Sequence, residues 1–182
     1  MKVFVTPLDG LLVLESPMFP DDRGYFLEVY HQEKFRSLGL PTEFLQDNHS
    51  RSSRGVLRGM HFQREQPQGK LVRPVHGNIF DVAVDLRRSS RTFGDWFGTT
   101  LQAGDGRQLW IPPGFAHGFY VLSESADVSY KCTTMYHGLS DGSLLWNDAT
   151  VGIQWPIAHG ENPLLSPKDA AAPELATVSP FP

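Results

Sequence analysis

The chain of 182 residues is divided into short runs of alternating apolar and polar residues, with glycine, proline, aspartate and asparagine between the runs. Alternation with a period of two is typical of half-buried β-strands, and the intervening residues favour turns. The clearest run covers residues 80–86, where apolar residues at even positions alternate with aspartate and alanine, after a His-Gly-Asn turn at 76–78. The pattern therefore predicts an all-β sandwich or barrel.

The same pattern predicts the individual elements. The predicted strands are Leu11–Leu14, Tyr25–Tyr30, Gly55–Gln63, Lys70–Pro74, Ile79–Leu86, Trp96–Leu101, Gln108–Ile111, Gly118–Leu122, Ala126–Thr133 and Gly152–Trp155. Two short helices are predicted, at Gln32–Leu38, ended by Gly39, and at Pro167–Ala172. After Pro156 proline and alanine become frequent, so we expect one domain over residues 1–182 in which residues 157–182 wrap over the β core. Packing is the usual role of such a tail.

Charge is distributed unevenly along the sequence. The formal net charge is −4, but residues 51–91 carry nine basic and three acidic side chains, a net +6 that leaves −10 for the remainder. The acidic total argues against a nucleic-acid-binding protein. The basic segment suits an anionic small ligand or, equally, a solvated strand face.

The single cysteine, Cys132, rules out an internal disulfide framework and is typical of a reducing compartment. The opening residues, MKVFVTPLDG, lack the charged and apolar regions of a secretory signal, and no apolar stretch approaches the roughly 18 residues of a membrane span. With 40% hydrophobic and 12% aromatic residues, the chain can form a sizeable core. We therefore expect a soluble cytoplasmic protein.

Two of the seven histidines, His61 and His117, lie among strand-like and glycine-rich residues that suit a pocket wall. Pro112, Gly114 and His117 have the spacing of the second metal-binding motif of many cupins, whose first motif supplies His-x-His and Glu to the same ion. Here the position two residues after His61 is Gln63, a poor metal ligand, so the residues disfavour a metal site. A hydrogen-bonded structural role is the alternative for each histidine.

No G-x-S-x-G, Walker or G-x-G-x-x-G motif introduces a helix, so the common signatures of serine hydrolases, phosphoryl transfer and dinucleotide binding are missing. The remaining acid and base groups, histidine, tyrosine, lysine and aspartate, occur beside arginines. This combination favours proton transfer on an anionic substrate.

Seven stretches of the chain match one known family in order and spacing: DDRGYFLEVY, QDNHSRSSRGVLRGMHFQ, QGKLVRPVHGNIFDVAVDLRRSSRTFGDWFG, RQLWIPPGFAHGFYVLS, YKCTTMY, LLWND and SPKDAAAP. On these stretches the sequence resembles dTDP-4-dehydrorhamnose 3,5-epimerase over residues 1–173. The resemblance implies a cupin-type jelly-roll β-sandwich or barrel, a homodimer with strand exchange, and neither metal nor cofactor. It also implies conversion of dTDP-4-dehydro-6-deoxy-D-glucose to dTDP-4-dehydro-L-rhamnose by inversion at C3 and C5.

Four catalytic residues follow from the resemblance. His61 corresponds to the general base, and Asp169 corresponds to the carboxylate that fixes its tautomer. Tyr130 corresponds to the proton donor at the opposite face of the sugar, and Lys70 to the positive charge beside the C4 oxygen. For Asp169 the resemblance outweighs the expectation that the tail only packs.

The resemblance also implies a set of substrate-binding residues. These are Arg23, Glu28, Gln46, Asp47, Asn48, Arg58, His117, Tyr136, Asp141 and Lys168. The two arginines suit a diphosphate, because a guanidinium matches phosphate oxygens bidentately. Tyr136 is implied to stack on thymine, and we expect it to share a strand face with Tyr130, since the two are an even number of residues apart.

Two positions depart from the family pattern. Met60 replaces the more usual leucine before the base, which conserves volume. Asp141 stands where the family more often has glutamate, which shortens its reach to the nucleotide.

Three alternatives remain open. A mono-epimerase of a specialised deoxysugar pathway, which inverts C3 or C5 only, would keep the same histidine, aspartate and tyrosine. A metal-dependent cupin oxygenase is disfavoured by Gln63. A non-catalytic nucleotide-sugar-binding module is disfavoured because the sequence holds all four residues at the catalytic positions.

Overall fold

A computed structural model describes residues 1–182 and contains thirteen strands and two short α-helices. The strands are β1 (Lys2–Val5), β2 (Leu12–Glu15), β3 (Met18–Asp21), β4 (Gly24–Leu27), β5 (Gln46–Ser53), β6 (Leu57–Gln63), β7 (Lys70–His76), β8 (Asn78–Asp85), β9 (Trp96–Gln102), β10 (Arg107–Ile111), β11 (Phe115–Val121), β12 (Ser125–Cys132) and β13 (Asp141–Ser143). The helices are α1 (Gln32–Ser37) and α2 (Pro167–Ala170), and a single 3-10 turn covers Gly138–Ser140. Neither helix has the length and apolar character needed to cross a bilayer.

Two antiparallel sheets form the body of the protein. One has six strands in the order β1-β2-β10-β7-β12-β5, and the other has five in the order β13-β6-β11-β8-β9. A separate two-stranded hairpin is made by β3 and β4. The all-β jelly-roll prediction is confirmed.

The main core lies between the two sheets. Leu109 and Val128 come from the six-stranded sheet, and Ala83, Leu101 and Phe119 come from the five-stranded sheet. Each of these side chains is at least 96% buried. Burial of apolar surface between two facing sheets is the main stabilising term for such a sandwich.

Both sheets are also covered on their outer faces. On the six-stranded sheet, Phe35 of α1 is fully buried against Leu14 and Trp110. On the five-stranded sheet, the cover is the segment 157–182, which contributes buried apolar residues to a second cluster with β6 and β8. The segment also forms two isolated parallel bridges to the rest of the chain, through Leu164 and Phe181.

Most predicted elements exist, with shifted ends. The helix predictions are confirmed, since α1 ends where Gly39 takes a φ of +70° and α2 begins with Pro167 in its first turn. The predicted strand Tyr25–Tyr30 ends early, at Leu27, and the strand predicted from Gly118 begins already at Phe115.

One predicted strand is wrong, because Gly152–Trp155 is irregular. Gly152 has a φ of +64°, which a strand residue does not adopt, and the Asp148 carboxylate accepts hydrogen bonds from the backbone of Thr150 and Val151. Four strands were not predicted, namely β1, β3, β5 and β13. The longest of them, β5, has the sequence QDNHSRSS, which contains no apolar residue to reveal a period of two.

Candidate active site

A cavity of about 260 Å³ lies between the two sheets. One wall comes from β6 and β13 of the five-stranded sheet, and the other comes from β5, β7 and β12 of the six-stranded sheet. The cavity is lined by Gln46, Asn48, His61, Phe62, Gln63, Gln68, Lys70, Tyr130, Tyr136 and Asp141. Seven of these residues belong to the fourteen that the sequence singled out.

His61 is held by a carboxylate from the far end of the sequence. Its Nε2 donates to Oδ1 of Asp169 at 2.6 Å, although 108 residues separate the two. An ionised carboxylate only accepts hydrogen bonds, so the ring proton lies on Nε2 and Nδ1 keeps its lone pair. This tautomer makes Nδ1 the basic atom of the pair.

Helix α2 places Asp169 against the histidine. Ser166 is its N-cap, and its Oγ accepts a hydrogen bond from the Asp169 backbone N–H at 3.1 Å. Pro167 at the first helical position has a φ already suited to a helix. Only 3% of Asp169 is exposed, so the carboxylate faces the protein rather than solvent.

Burial lowers the pKa of His61 below its usual value, and the hydrogen bond and charge of Asp169 oppose that shift without reversing it. The nearby positive charges of Lys168 and Lys70 also lower the pKa. Neutral imidazole is therefore the stable form near neutral pH, as a general base requires.

Lys70 reaches across the cavity from β7. Its Nζ donates a long hydrogen bond of 3.5 Å to the His61 carbonyl on the opposite sheet, and no other side chain pairs with it at short range. Burial lowers the pKa of Lys70, while the charges of Cys132, Asp141 and Asp81 raise it. A cation with so few partners can interact with an anion in the cavity.

Tyr130 lies on β12, in the wall opposite His61. Burial raises the pKa of its phenol, and Arg58 opposes this shift. The hydroxyl therefore keeps its proton well above neutral pH and can donate it. The candidate base and the candidate acid thus come from different sheets and face one cavity.

His117 lies directly opposite His61 in the β11–β6 pairing, but it is not among the residues that line the cavity. Its Nε2 bonds Oδ1 of Asp81 at 2.7 Å, and both residues are buried. Sequence reasoning missed Asp81. The alternating pattern of β8 could have revealed it, because Asp81 lies on the same face of the strand as Ala83. Ala83 packs in the core between the sheets.

Tyr136 lines the cavity for a different reason from the one expected. Strand β12 ends at Cys132, so the shared strand face proposed for Tyr130 and Tyr136 is wrong. Instead the backbone N–H of Tyr136 donates to Oε1 of Gln46 at 2.7 Å. Its phenol donates to Oδ2 of Asp141 at 3.2 Å, and that oxygen is also paired with Lys168.

The remaining predicted residues lie near the cavity or away from it. Arg58 on β6 donates from Nε to Ser52 Oγ at 2.9 Å, and Asp47 on β5 pairs with Lys131 at 2.9 Å. Arg23, in the turn between β3 and β4, pairs with Asp21, and Glu28 pairs with Lys34 at 2.6 Å. Neither Arg23 nor Glu28 lines the cavity of its own chain.

The amide of Gln63, at the position where metal-binding cupins have a ligand, is engaged with backbone groups. Its Nε2 donates to the carbonyls of Gln66 and Met135, and its Oε1 accepts from the His137 N–H. No three His, Cys, Asp or Glu side chains are grouped closely enough to share a metal ion.

Comparisons with known proteins identify the family of the chain. A sequence profile described as dTDP-4-dehydrorhamnose 3,5-epimerase matches residues 5–177. The chain belongs to this family. It is 54% identical over 177 residues to the dTDP-4-dehydrorhamnose 3,5-epimerase of Salmonella typhimurium, and the match covers 96% of each chain.

Two solved structures of epimerases are similar in fold to this chain. The dTDP-6-deoxy-D-glucose-3,5-epimerase of Legionella pneumophila, in complex with dTDP-4-keto-L-rhamnose, has a TM-score of 0.93 and 48% identity, covering 98% of this chain and 94% of that one. A 3'-monoepimerase from Streptomyces bikiniensis, in complex with dTDP-quinovose, has a TM-score of 0.88 and 33% identity, covering 94% and 87%. The family resemblance inferred from the sequence is confirmed.

Proposed function

We propose that this protein converts dTDP-4-dehydro-6-deoxy-D-glucose to dTDP-4-dehydro-L-rhamnose by inverting C3 and C5. The observation that carries the proposal is the cavity itself. His61, whose tautomer is oriented by Asp169, lies on one side of the cavity, and the protonated phenol of Tyr130 lies on the opposite sheet. The chain that holds them is a member of the 3,5-epimerase family.

The reaction needs a base on one side of the sugar. C3 and C5 both flank the C4 ketone, so removing a proton from either carbon gives an enolate with its charge on the C4 oxygen. Nδ1 of His61 takes the proton, and the imidazolium is stabilised by the carboxylate of Asp169. A positioned base of this kind typically accelerates a reaction about 10²- to 10⁴-fold.

The enolate needs a positive charge, and Lys70 is the group that supplies it. The charge on the C4 oxygen appears only as the reaction proceeds, so a fixed ammonium stabilises the transition state more than the ketone. Loss of one such electrostatic donor commonly costs on the order of 3 kcal/mol in the barrier.

Inversion needs an acid on the other side, and Tyr130 fits that role. Its O–H transfers a proton to the carbon from the face opposite His61. The resulting phenolate then regains a proton from solvent, and the His61 imidazolium releases the proton that it took. Its burial, which raises the pKa of the phenol, supports a donor that is still protonated when the enolate forms.

The nucleotide part of the substrate is proposed to lie beside Tyr136. Gln46, Asn48 and Asp141 line that end of the cavity, and Lys168 is paired with Asp141. Stacking of a base on an aromatic ring of this kind is worth about 1–3 kcal/mol. Three further residues do not line the cavity, and we propose that they also contact the substrate: Arg58, Asp47 and His117.

We also propose that the protein is a homodimer in which the hairpin β3–β4 crosses to the second copy. Phe19, Tyr25 and Phe26 of this hairpin are each more than half exposed, an unusual state for a cluster of aromatic side chains. A second copy would cover them, and the partner's Arg23 and the partner's Glu28 would then reach the nucleotide.

We place the protein in the cytoplasm, since its lone Cys132 is buried and unpaired.

The direct test is incubation with the 4-keto sugar nucleotide in D2O, followed by NMR of the recovered sugar. We expect deuterium at both C3 and C5. Label at one carbon only would establish the mono-epimerase alternative, which the similarity to the Streptomyces bikiniensis enzyme keeps open. No label at either carbon would refute the enolate mechanism.

Two variants separate the base from the acid in the same experiment. His61→Ala should abolish exchange at both carbons, because the one carboxylate that lines the cavity, Asp141, is already paired with Tyr136 and Lys168. Tyr130→Phe should retain exchange while suppressing inversion, because His61 can still remove the proton, exchange it with D2O and return a deuteron on its own side. Normal turnover in His61→Ala would disprove the base assignment.

A further inference from the structure

We propose that Gln63 is a positioning residue that holds the segment Thr134–His137, and through it the ring of Tyr136, at the nucleotide end of the cavity. The proposal deepens the proposed function and rests on it for the identity of the ligand. Its structural basis, the bonding of the segment, is independent of that function.

The segment needs side-chain partners because it belongs to no helix or strand. It follows the end of β12 at Cys132 and precedes the 3-10 turn that begins at Gly138. Backbone N–H and C=O groups that lack a ladder must find other partners, since leaving them unpaired in a partly buried site is costly.

Gln63 bonds the backbone on both sides of Tyr136. Its Oε1 accepts from the N–H of His137 at 2.7 Å, and its Nε2 donates to the carbonyl of Met135 at 3.0 Å. The same Nε2 donates to the carbonyl of Gln66 at 2.7 Å. All three hydrogen bonds of the Gln63 amide are therefore made with backbone groups.

Gln63 is itself fixed by the fold, so its amide can hold the segment in place. Gln63 is the last residue of β6, is 4% exposed, and pairs with Asp141 of β13. Gln66 has a φ of +53°, unusual for a residue other than glycine, and its carbonyl accepts from both Gln63 and Thr134 Oγ1. The turn at 66 and the segment at 134–137 are thus tied together through the side chains of Gln63 and Thr134.

Two other glutamines contact the segment, but each has a single bond to it. Gln46 accepts from the Tyr136 N–H at 2.7 Å, and Gln68 donates to the Thr134 carbonyl at 3.0 Å. Only Gln63 of the three donates and accepts within the segment. A glutamate in its place would keep the acceptor for His137 but direct a carboxylate oxygen at two carbonyls.

The consequence concerns affinity rather than chemistry. Tyr136 is 60% exposed, so packing alone does not fix its ring. A segment that is ordered before the nucleotide arrives does not have to be ordered on binding, which strengthens binding without touching the reacting carbons. No hydrogen bond joins the Gln63 side chain to His61, Lys70 or Tyr130.

The experiment measures binding of dTDP alone by calorimetry and amide hydrogen exchange of the free protein by mass spectrometry. In Gln63→Ala we expect faster exchange confined to residues 134–137, a Kd for dTDP raised about tenfold, equal to ~1.4 kcal/mol, and kcat within about twofold of wild type. In a Tyr136→Ala background the same change should leave the Kd nearly unaltered, because the ring it positions is gone.

Gln154→Ala is the matched control, since this exposed glutamine also donates to a backbone carbonyl, that of Gly152, and lies away from the cavity. It should leave Kd, kcat and exchange at 134–137 unchanged. Gln63→Glu preserves shape and serves if Gln63→Ala does not fold; it should give the same increase in exchange. Unchanged exchange at 134–137 would overturn the proposal, as would a Kd effect that persists in the Tyr136→Ala background.

Failure of the proposed function would look different. A wild-type protein that neither binds dTDP nor turns over the 4-keto sugar would refute that function, while the exchange experiment would still test the bonding by Gln63.

Discussion

His61 shows how two opposing effects set the behaviour of one residue. Burial lowers the pKa of its imidazole, and Asp169 raises it, with burial the larger effect. The result is a histidine that stays neutral to a lower pH than a free histidine, whose pKa is about 6.5. Its activity as a base should therefore be lost only as the pH falls below that value.

The variant Asp169→Asn separates these effects. Removing the carboxylate removes the influence that raises the pKa of His61, so the acid limb of kcat/KM should move to lower pH. At the same time kcat should fall by about 10²- to 10⁴-fold, because the tautomer and the imidazolium lose their partner. A pH–rate profile of both proteins is the measurement. An acid limb that moved to higher pH would contradict the assigned pairing.

Strand β8 shows why the sequence predicts an element better than its surroundings. Its alternating residues correctly predict a strand, and such a pattern usually has one buried and one solvated face. Here both faces are buried, because the C-terminal segment covers the face with Val82 and Val84 while the other face lies between the sheets. Asp81 is therefore in the interior, where it pairs with His117.

The same limit applies to the site. His61, Lys70 and Tyr130, which line one cavity, could be proposed as site residues from the sequence because each stands in a stretch that resembles the family. The bonding of Gln63 could not, because its partners lie in a segment with no regular structure. Strand β5 was missed for a related reason: its pairing with β12 depends on backbone hydrogen bonds, which leave no hydrophobic pattern.

Helix α2 gives a prediction at the scale of an element. It has only four residues, so its N-cap, Ser166, carries a large share of its stability. Ser166→Ala should lower the free energy of unfolding by about 1 kcal/mol. It should also lower kcat, because Asp169 is less firmly held against His61. Thermal unfolding and steady-state kinetics test both effects, with the exposed Ser37→Ala on α1 as the control. Unchanged kcat would show that α2 is held without its cap.

At the scale of the whole molecule, the proposed dimer explains why Arg23 and Glu28 lie outside the cavity of their own chain. The hairpin β3–β4 pairs with no strand of either sheet and exposes aromatic residues on its surface. A site completed by a second copy makes a specific prediction about mixed dimers.

Arg23→Ala and His61→Ala should each inactivate or strongly impair the homodimer. In a purified heterodimer of the two, one site would combine His61 of the first chain with the partner's Arg23 and would be intact. We expect about half of the wild-type activity from this heterodimer. Tagging the two chains differently during co-expression allows its isolation. An inactive heterodimer would show that Arg23 serves its own chain, and a monomer in sedimentation would exclude the dimer.

The distance along the chain between His61 and Asp169 has a consequence for when activity can begin. Ribosomes add roughly 5–20 residues per second, so the 108 residues that separate the base from its carboxylate take about 5 to 20 seconds to synthesise. During that interval His61 is already part of the chain, but its imidazole has no carboxylate partner, and the two strands that pair with β6, β11 and β13, are themselves still being made. We therefore expect the growing polypeptide to stay catalytically silent until its last segment has emerged and closed over the sheet.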